Sequence, residues 1–411
     1  ASFANETKSL LDTTKIEKIV WTDKYAHLDE RNYSFTEIDA SLETHERLAK
    51  SPRLDDLACI VYTSGTTGKP KGAMLSYRNF FSNAIAGSIS FQITEKDRFI
   101  VFLPMFHSFT LSIMVLLPMF TCSSIVIVRS VFPFANVLKQ TLLKQVTIFL
   151  GVPTLYNALL KAKIPWYFMW FNKVRIFISG SAPLSEQSLN EFNAKFKKAT
   201  LLEGYGLSEC SPAVSVNRLD RQKALSVGLP LPSYEVKIVN EEMMEVKTGE
   251  VGEIMVKGDC VMQGYLNHAD ATDETIMNGW LLTGDLGKKD EDGFIYIKGR
   301  SKTMILGPSG QNIYPEEIEQ QLNNMAYVAE SLIVSQNGKL VALIYPDWEQ
   351  VDKQGIDHNK IEILMQENIK DLNELLPGYS KISGIKMYQE EFEKTPKRSI
   401  KRYLYQPAEN N

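Results

Sequence analysis

Cysteine is scarce: Cys59, Cys122, Cys210 and Cys260 lie far apart in 411 residues, with no CxxC pair. That spacing excludes a dense disulfide framework and fits reduced structural thiols in a cytoplasmic protein. Charge of either sign is not in excess. The formal net charge of -4 argues against nucleic acid as the main partner. Residues 1–15 have neither the basic nor the apolar block of a signal peptide, and there is no initiator Met, so the chain is expected to have lost its start. A long uninterrupted hydrophobic run is missing too. Residues 99–128 carry no formal charge, yet Pro104, Pro118, His107, Ser108, Thr110 and Ser112 break the stretch. It reads as a strand at 99–103, a helix at 111–117 and a strand at 125–128, a buried β-α-β unit. No internal repeat or low-complexity segment is found.

What is present is the profile of a soluble protein of two or three domains, 44% apolar and 23% charged. Short apolar strands are predicted at 59–63, 99–103, 125–128, 148–151 and 174–179. Amphipathic helices are predicted at 76–87, 136–144, 153–161 and 185–196. This alternation implies α/β layers around a largely parallel sheet. Beyond Pro212 the strands at 235–240, 252–257 and 293–298 alternate more regularly and lie near turns, as antiparallel or barrel-like strands do. After Lys302 a smaller α+β unit begins, with helices at 315–323 and 359–375 and strands at 331–334 and 339–344.

The richest segment is Tyr62-Thr63-Ser64-Gly65-Thr66-Thr67-Gly68-Lys69-Pro70-Lys71-Gly72. Its glycines permit close backbone approach, its hydroxyls donate to phosphate oxygens, and its lysines supply positive charge. Placed after a strand and before a helix, such a loop suits a polyphosphate. It is no Walker loop, because the Gly65–Gly68 spacing is wrong and Pro70 stands where Ser or Thr would bind magnesium.

The segment is similar to the phosphate loop of the adenylate-forming superfamily, which includes acyl-CoA synthetases, peptide-synthetase adenylation domains and luciferases. Further matches follow in that family's order. Pro104-Met105-Phe106-His107-Ser108-Phe109 resembles its aromatic/His segment, and Ser179-Gly180-Ser181-Ala182-Pro183-Leu184 its adenine-side loop. Glu203-Gly204-Tyr205-Gly206-Leu207-Ser208-Glu209 resembles its Tyr-Gly-x-Thr-Glu motif, with Ser208 for Thr. Trp280-Leu281-Leu282-Thr283-Gly284-Asp285 and Gly299-Arg300-Ser301-Lys302 complete the set.

The resemblance implies a large AMP-binding domain over residues 1–301, with layered α/β sheets and a small barrel-like part. A mobile C-terminal domain follows over 302–411, hinged near Lys302. It implies ATP, Mg²⁺ and CoA as cofactors and a medium- or long-chain fatty acid as substrate. An acyl carrier protein is the other acceptor it allows, and an acyl- or nucleotide-binding homologue with impaired catalysis stands beside the enzyme reading.

Thr63, Ser64, Gly65, Thr66, Thr67, Gly68 and Lys71 are expected around the pyrophosphate. Ser181, Ala182, Pro183, Gly204, Tyr205, Gly206 and Ser208 are expected around the base, with the flat Tyr205 ring suited to stack on adenine. Glu209 is a hard oxygen ligand for magnesium. Asp285 can accept both ribose hydroxyls, and Arg300 can hold ribose or phosphate. His107 is read as lining the carboxylate pocket, against the alternative of a satisfied core histidine.

Two departures from the family stand out. Its members carry a longer segment ahead of the phosphate loop, so part of the first subdomain is expected to be absent. The ending Lys394-Thr395-Pro396-Lys397-Arg398-Ser399-Ile400-Lys401-Arg402 places Ser399 where the family has a lysine that contacts the substrate carboxylate, leaving Lys397 or Lys401 to replace it. One further segment, Ile164-Pro165-Trp166-Tyr167-Phe168-Met169-Trp170-Phe171, has five aromatics in eight residues and reads either as core or as an interfacial patch that meets lipid.

Overall fold

Two units organise the chain, residues 1–53 and 54–411. The computed structural model describes residues 19–21, 32–34, 51–63, 70–131, 133–180, 184–307, 311–394 and 400–406. In the first unit, β1 (Ile19–Trp21) and β2 (Asn32–Ser34) pair in parallel.

The second unit opens on a hairpin of β3 (Leu57–Thr63) and β4 (Lys71–Ser76). Sequence reading places a helix at 76–87 and no strand ahead of it, whereas the structure inserts β4 between the phosphate loop and that helix, antiparallel to β3. The cause is burial. Ala73 and Leu75 of β4 are both fully buried in the core, which alternation along a strand allows. Helix α1 (Tyr77–Ser90) begins only after Ser76, whose hydroxyl accepts the Asn79 N–H at 3.2 Å while Asn79 Oδ1 accepts the Ser76 N–H at 2.7 Å. This reciprocal capping box satisfies two otherwise orphaned donors.

Next come β5 (Arg98–Val101), α2 (residues 108–120), β6 (Ser124–Ile127), α3 (Phe134–Leu143) and β7 (Ile148–Gly151). The middle of α2, Leu111–Leu116, is a π-helical turn. As the uncharged stretch suggested, β5, α2 and β6 form a β-α-β unit with parallel pairing of Phe99 to Ile125. No helix among the described residues is long and apolar enough to cross a membrane. Helices α4 (Pro153–Lys161), α5 (Trp166–Phe171) and α6 (Glu186–Lys195) alternate with β8 (Ile176–Ser179) and β9 (Thr200–Gly206). Strands β10 (Ala213–Val216) and β11 (Leu229–Pro230) complete a seven-stranded sheet, ordered β11-β10-β9-β8-β7-β5-β6.

Strand period two sorts this sheet into faces. Phe99, Val101, Ile148, Leu150, Ile176, Ile178 and Leu202 share one core with Ala84 of α1 and Met114 and Leu117 of α2. Ile100, Phe149, Phe177 and Leu201 share the other with Val137 of α3, Tyr156 of α4, Phe168 of α5 and Phe192 of α6. The result is a helix–sheet–helix sandwich. Each fully buried Phe or Leu stabilises it by about 1.5–3 kcal/mol.

A five-stranded antiparallel sheet follows, of β12 (Glu235–Val239), β13 (Gly252–Lys257), β15 (Ile276–Met277), β16 (Trp280–Lys289) and β17 (Ile295–Arg300). Between them, β14 (Gly264–Tyr265) returns to pair with β4, and α7 (Ala269–Thr275) follows it. The last part carries β18 (Ile305–Leu306), β19 (Asn312–Ile313) and helix α8 (Pro315–Leu322). Its sheet is β20 (Val328–Gln336), β21 (Lys339–Pro346) and β22 (Ile382–Met387). Buried Glu319 of α8 accepts the Ile333 N–H at 2.7 Å and pairs with Arg402, which fastens the C-terminal turn to this helix.

Candidate functional site

The base of the phosphate loop is held by the β3–β4 hairpin. Thr63 faces Lys71 across it, and the Thr63 hydroxyl donates to the Lys71 carbonyl at 3.3 Å. Ser64, Gly65, Thr66, Thr67 and Gly68 lie outside the described residues, as do Ser181, Ala182, Pro183, Lys397 and Ser399. Lys71 extends its amine over the Tyr265 ring, 5.2 Å from the centroid. The Tyr265 hydroxyl in turn donates to Glu209 Oε1 at 3.0 Å. The carboxylate expected to bind magnesium is therefore tied through one tyrosine to the loop's lysine.

Tyr265 escaped sequence reasoning. It sits on a two-residue strand whose only function-bearing feature is its pairing with Ala73 of β4. The loop ahead of it is fixed by α1, since Asn79 Nδ2 donates to the carbonyls of Asp259 and Val261, both at 2.8 Å. The Met262 N–H then donates to the Glu209 carbonyl at 2.9 Å.

Three of the quoted motifs converge where β9 ends. Ser208 and Ser108 share a buried hydroxyl–hydroxyl hydrogen bond of 2.8 Å, although a hundred residues separate them. His107 caps the first turn of α2, its Nδ1 accepting the Phe109 N–H at 3.2 Å. That bond leaves Nε2 as the protonated nitrogen when the ring is neutral. The Phe109 ring packs on Gly180 so closely that a Cβ there would lie 2.6 Å from Cζ. Gly206 is needed for the same kind of reason, because a Cβ would lie 2.1 Å from the Pro212 carbonyl oxygen.

Asp285 and Arg300 face each other across β16 and β17. The Tyr205 hydroxyl donates to Asp285 Oδ2 at 2.6 Å, and the Arg300 guanidinium forms an ion pair with Asp285, Nε lying 3.1 Å from Oδ1. Asp285 is 5% exposed, and its N–H is held by the Thr283 hydroxyl at 3.1 Å. Burial raises the Asp285 pKa above the usual carboxylate range, while Arg300 and the Tyr205 hydroxyl oppose that rise. Burial and then the Asp285 charge push the Tyr205 hydroxyl well up, so it stays a donor. Each Asp285 oxygen keeps a second lone pair, which suits the carboxylate to a vicinal diol.

The two remaining charged candidates lie elsewhere. Lys302 is exposed in a 3₁₀ turn, Ser301–Thr303, that ends when the Met304 N–H donates to the Arg300 carbonyl. Lys401 pairs with Glu393 at 3.1 Å. No group of three or more His, Cys, Asp or Glu side chains among the described residues is arranged to hold a metal. Glu209 stands there as a lone carboxylate, the donor set that would suit a magnesium ion bound mainly through substrate phosphates and water.

Glu203, the first residue of the Glu203–Glu209 motif, has a different job. It is 6% exposed and its Oε1 accepts the Leu184 N–H at 3.0 Å, which ties β9 to the end of the 179–184 loop. Burial pushes its pKa up to about 7, against the lowering effect of that one bond. The folded state thus holds this proton more tightly than the unfolded chain. Its stability falls as pH rises from the unfolded value toward the folded one, by on the order of 3 kcal/mol in all. Glu203→Gln is expected to remove this slope. Urea unfolding of parent and variant from about pH 4 to about pH 8 checks it, and a pH-independent gap between them refutes the assignment.

Comparison with known proteins places these residues in context. A family model described as AMP-binding enzyme matches residues 2–266, and one for the AMP-binding enzyme C-terminal domain matches 302–406. A long-chain-fatty-acid–CoA ligase of Escherichia coli O6:H1 is 41% identical over 269 residues, 64% of this chain and 47% of that protein. A feruloyl-CoA synthase of an Amycolatopsis species is 35% identical over 273 residues, 66% of this chain and 54% of its own length. The chain therefore spans about half the length of the curated relatives it matches. Among solved structures, the o-succinylbenzoate coenzyme A synthetase of Bacillus subtilis, in complex with ATP and magnesium ion, superposes with a TM-score of 0.78. It is 26% identical, and the match covers 98% of this chain and 82% of that one.

Proposed function

This chain belongs to the family of AMP-binding enzymes, and from that premise we propose that it activates a medium- or long-chain fatty acid with ATP and transfers the acyl group to CoA. The observation that carries this reading is the contact of Tyr205, Asp285 and Arg300, which come from three separate motifs. A flat ring beside a buried carboxylate and a guanidinium suits an adenosine, with the base against Tyr205 and the ribose hydroxyls on Asp285. Fatty acid is preferred to an aromatic acid because the fatty acid ligase is the more similar of the two curated relatives reported.

In the first half-reaction a carboxylate oxygen of the acid attacks the α-phosphorus of ATP. The bond to the bridging oxygen breaks and pyrophosphate leaves. Lys71, at the base of the phosphate loop, offsets the developing negative charge, and Glu209 is the residue that would hold magnesium beside it. When bound, that ion supplies charge neutralisation for the phosphates. In the second half-reaction the CoA sulfur attacks the acyl carbonyl and AMP departs. Both steps run on positioning and electrostatics, so no nucleophilic side chain is required.

Pyrophosphate release from ATP with a panel of medium- and long-chain fatty acids tests the reading, followed by thioester formation with CoA. Release with no acid on the panel refutes it and favours a binding homologue. Ser399, at the position where the family has a lysine, is the feature consistent with that second outcome. Thioester formed on a phosphopantetheinyl carrier protein and not on CoA identifies the other acceptor.

The reading includes a C-terminal domain, 302–411, that turns about Lys302 between the half-reactions, because the thiol needs access to a carbonyl covered during adenylation. Residues 301–303 form a 3₁₀ turn, and 3₁₀ geometry in general has φ near the value that proline imposes. Lys302→Pro is therefore expected to lock the orientation seen here and to separate the half-reactions by at least about tenfold. Pyrophosphate exchange measures the first, and thioester formation from presynthesised acyl-AMP the second. Equal change in both, in a folded variant, sinks the hinge assignment.

A further inference from the structure

We propose that helix α5 is an attachment site for an anionic lipid surface. Trp166, Tyr167, Trp170 and Phe171 are 71%, 46%, 71% and 59% exposed, whereas Phe168 between them is buried. Positions i, i+1, i+4 and i+5 share one side of a helix, so the four rings form a single outward ridge. Phe168 anchors the opposite side in the sheet core, which fixes the ridge on a rigid base. The expectation that this segment is core thus holds for one aromatic of five. Tryptophan and tyrosine combine an apolar body with a polar N–H or O–H, which suits them to the bilayer–water boundary.

Charge identifies the kind of surface. From Arg98 to Ser185 there is no Asp or Glu, while eight residues are Lys or Arg, in a chain whose net charge is -4. Exposed Lys163 precedes the helix and exposed Lys173 follows it. Lys198 donates to the Trp170 carbonyl at 2.9 Å, at the helix's C-terminal end. Exposed Lys197 and Lys198 line one groove with Trp170 and Met169, whereas the neighbouring Lys195 amine is committed to the carbonyls of Leu159, Leu160 and Ala162. An aromatic ridge flanked by lysines matches a membrane rich in anionic headgroups, with the rings in the interface and the amines on the phosphates. A second copy of this chain fits poorly, because two-fold pairing would bring the same lysines together. Attachment here does not depend on the catalytic reading, since α5 lies outside the Tyr205–Asp285–Arg300 cluster.

Co-sedimentation of the full chain with vesicles tests this. Vesicles of phosphatidylcholine alone are compared with vesicles of phosphatidylcholine and phosphatidylglycerol, at low and high salt. The parent is expected to sediment with the anionic vesicles and to be released by salt. Trp166→Ala/Trp170→Ala is expected to lower partitioning by at least about tenfold. Lys197→Gln/Lys198→Gln is expected to lower it too and to weaken its salt dependence, which keeps the proposal testable should the tryptophan pair melt early. A parent that stays in the supernatant overturns the proposal, as does parental sedimentation by both folded variants. So does sedimentation velocity showing a parental dimer that the tryptophan pair converts to monomer.

Discussion

Asp285→Ala is expected to lower kcat/KM for ATP by about 10²–10⁴-fold, because hydrogen bonds to a charged group each contribute about 1.5–3 kcal/mol and on the proposed reading two ribose hydroxyls lose theirs. The carboxylate also holds Tyr205 and Arg300 in place, so its removal leaves a phenol and a guanidinium without their shared partner. Asp285→Asn separates these contributions. The amide keeps one acceptor oxygen of the same shape but loses the charge that pairs with the Arg300 guanidinium. The asparagine variant should therefore fall between parent and alanine in ATP binding, measured by calorimetry alongside a thermal melt. A folded Asp285→Asn with parental affinity for ATP removes Asp285 from the nucleotide site.

The second large effect is expected at Glu209. Glu209→Gln should reduce adenylate formation at limiting Mg²⁺ by about 10²-fold, the scale seen when one preorganised electrostatic group is removed. The local geometry makes this a clean substitution. The Tyr265 hydroxyl donates to Glu209 Oε1 and can donate equally to an amide oxygen, and the Glu209 carbonyl still receives the Met262 N–H. Position and fold are thus preserved while the charge is lost, and an amide is a poorer ligand for a hard cation. Partial recovery at high Mg²⁺ is the expected signature. Near-parental rates at limiting Mg²⁺ would show that the carboxylate has no metal role.

Residues close in sequence announced much of the fold. The apolar run 148–151 and the helix 153–161 have in the structure the bounds that their periodicity predicted. Strand β4 was not legible, since Lys71–Ser76 contains no β-branched residue and becomes a strand only by pairing with β3 and β14. Strand propensity depends on the partner, and one partner here, Tyr265, pairs with Ala73 from 192 residues away. Tyr265 itself carried no signal for the same reason.

By itself, then, the sequence determined the alternation of strands and helices in the first half of the chain, the period that sorts the large sheet into two faces, and which motifs are candidates for phosphate and nucleotide chemistry. Each of these is written in spacing over a few residues, where the backbone period turns composition into direction. Tertiary structure decided that Tyr205, Asp285 and Arg300 touch, that Tyr265 links Lys71 to Glu209, and that Ser108 meets Ser208. It also decided that four of five aromatics on α5 face outward. Such contacts join residues tens to hundreds of positions apart, and an exposed ring has the same composition as a buried one. Only the packing of the whole chain distinguishes them.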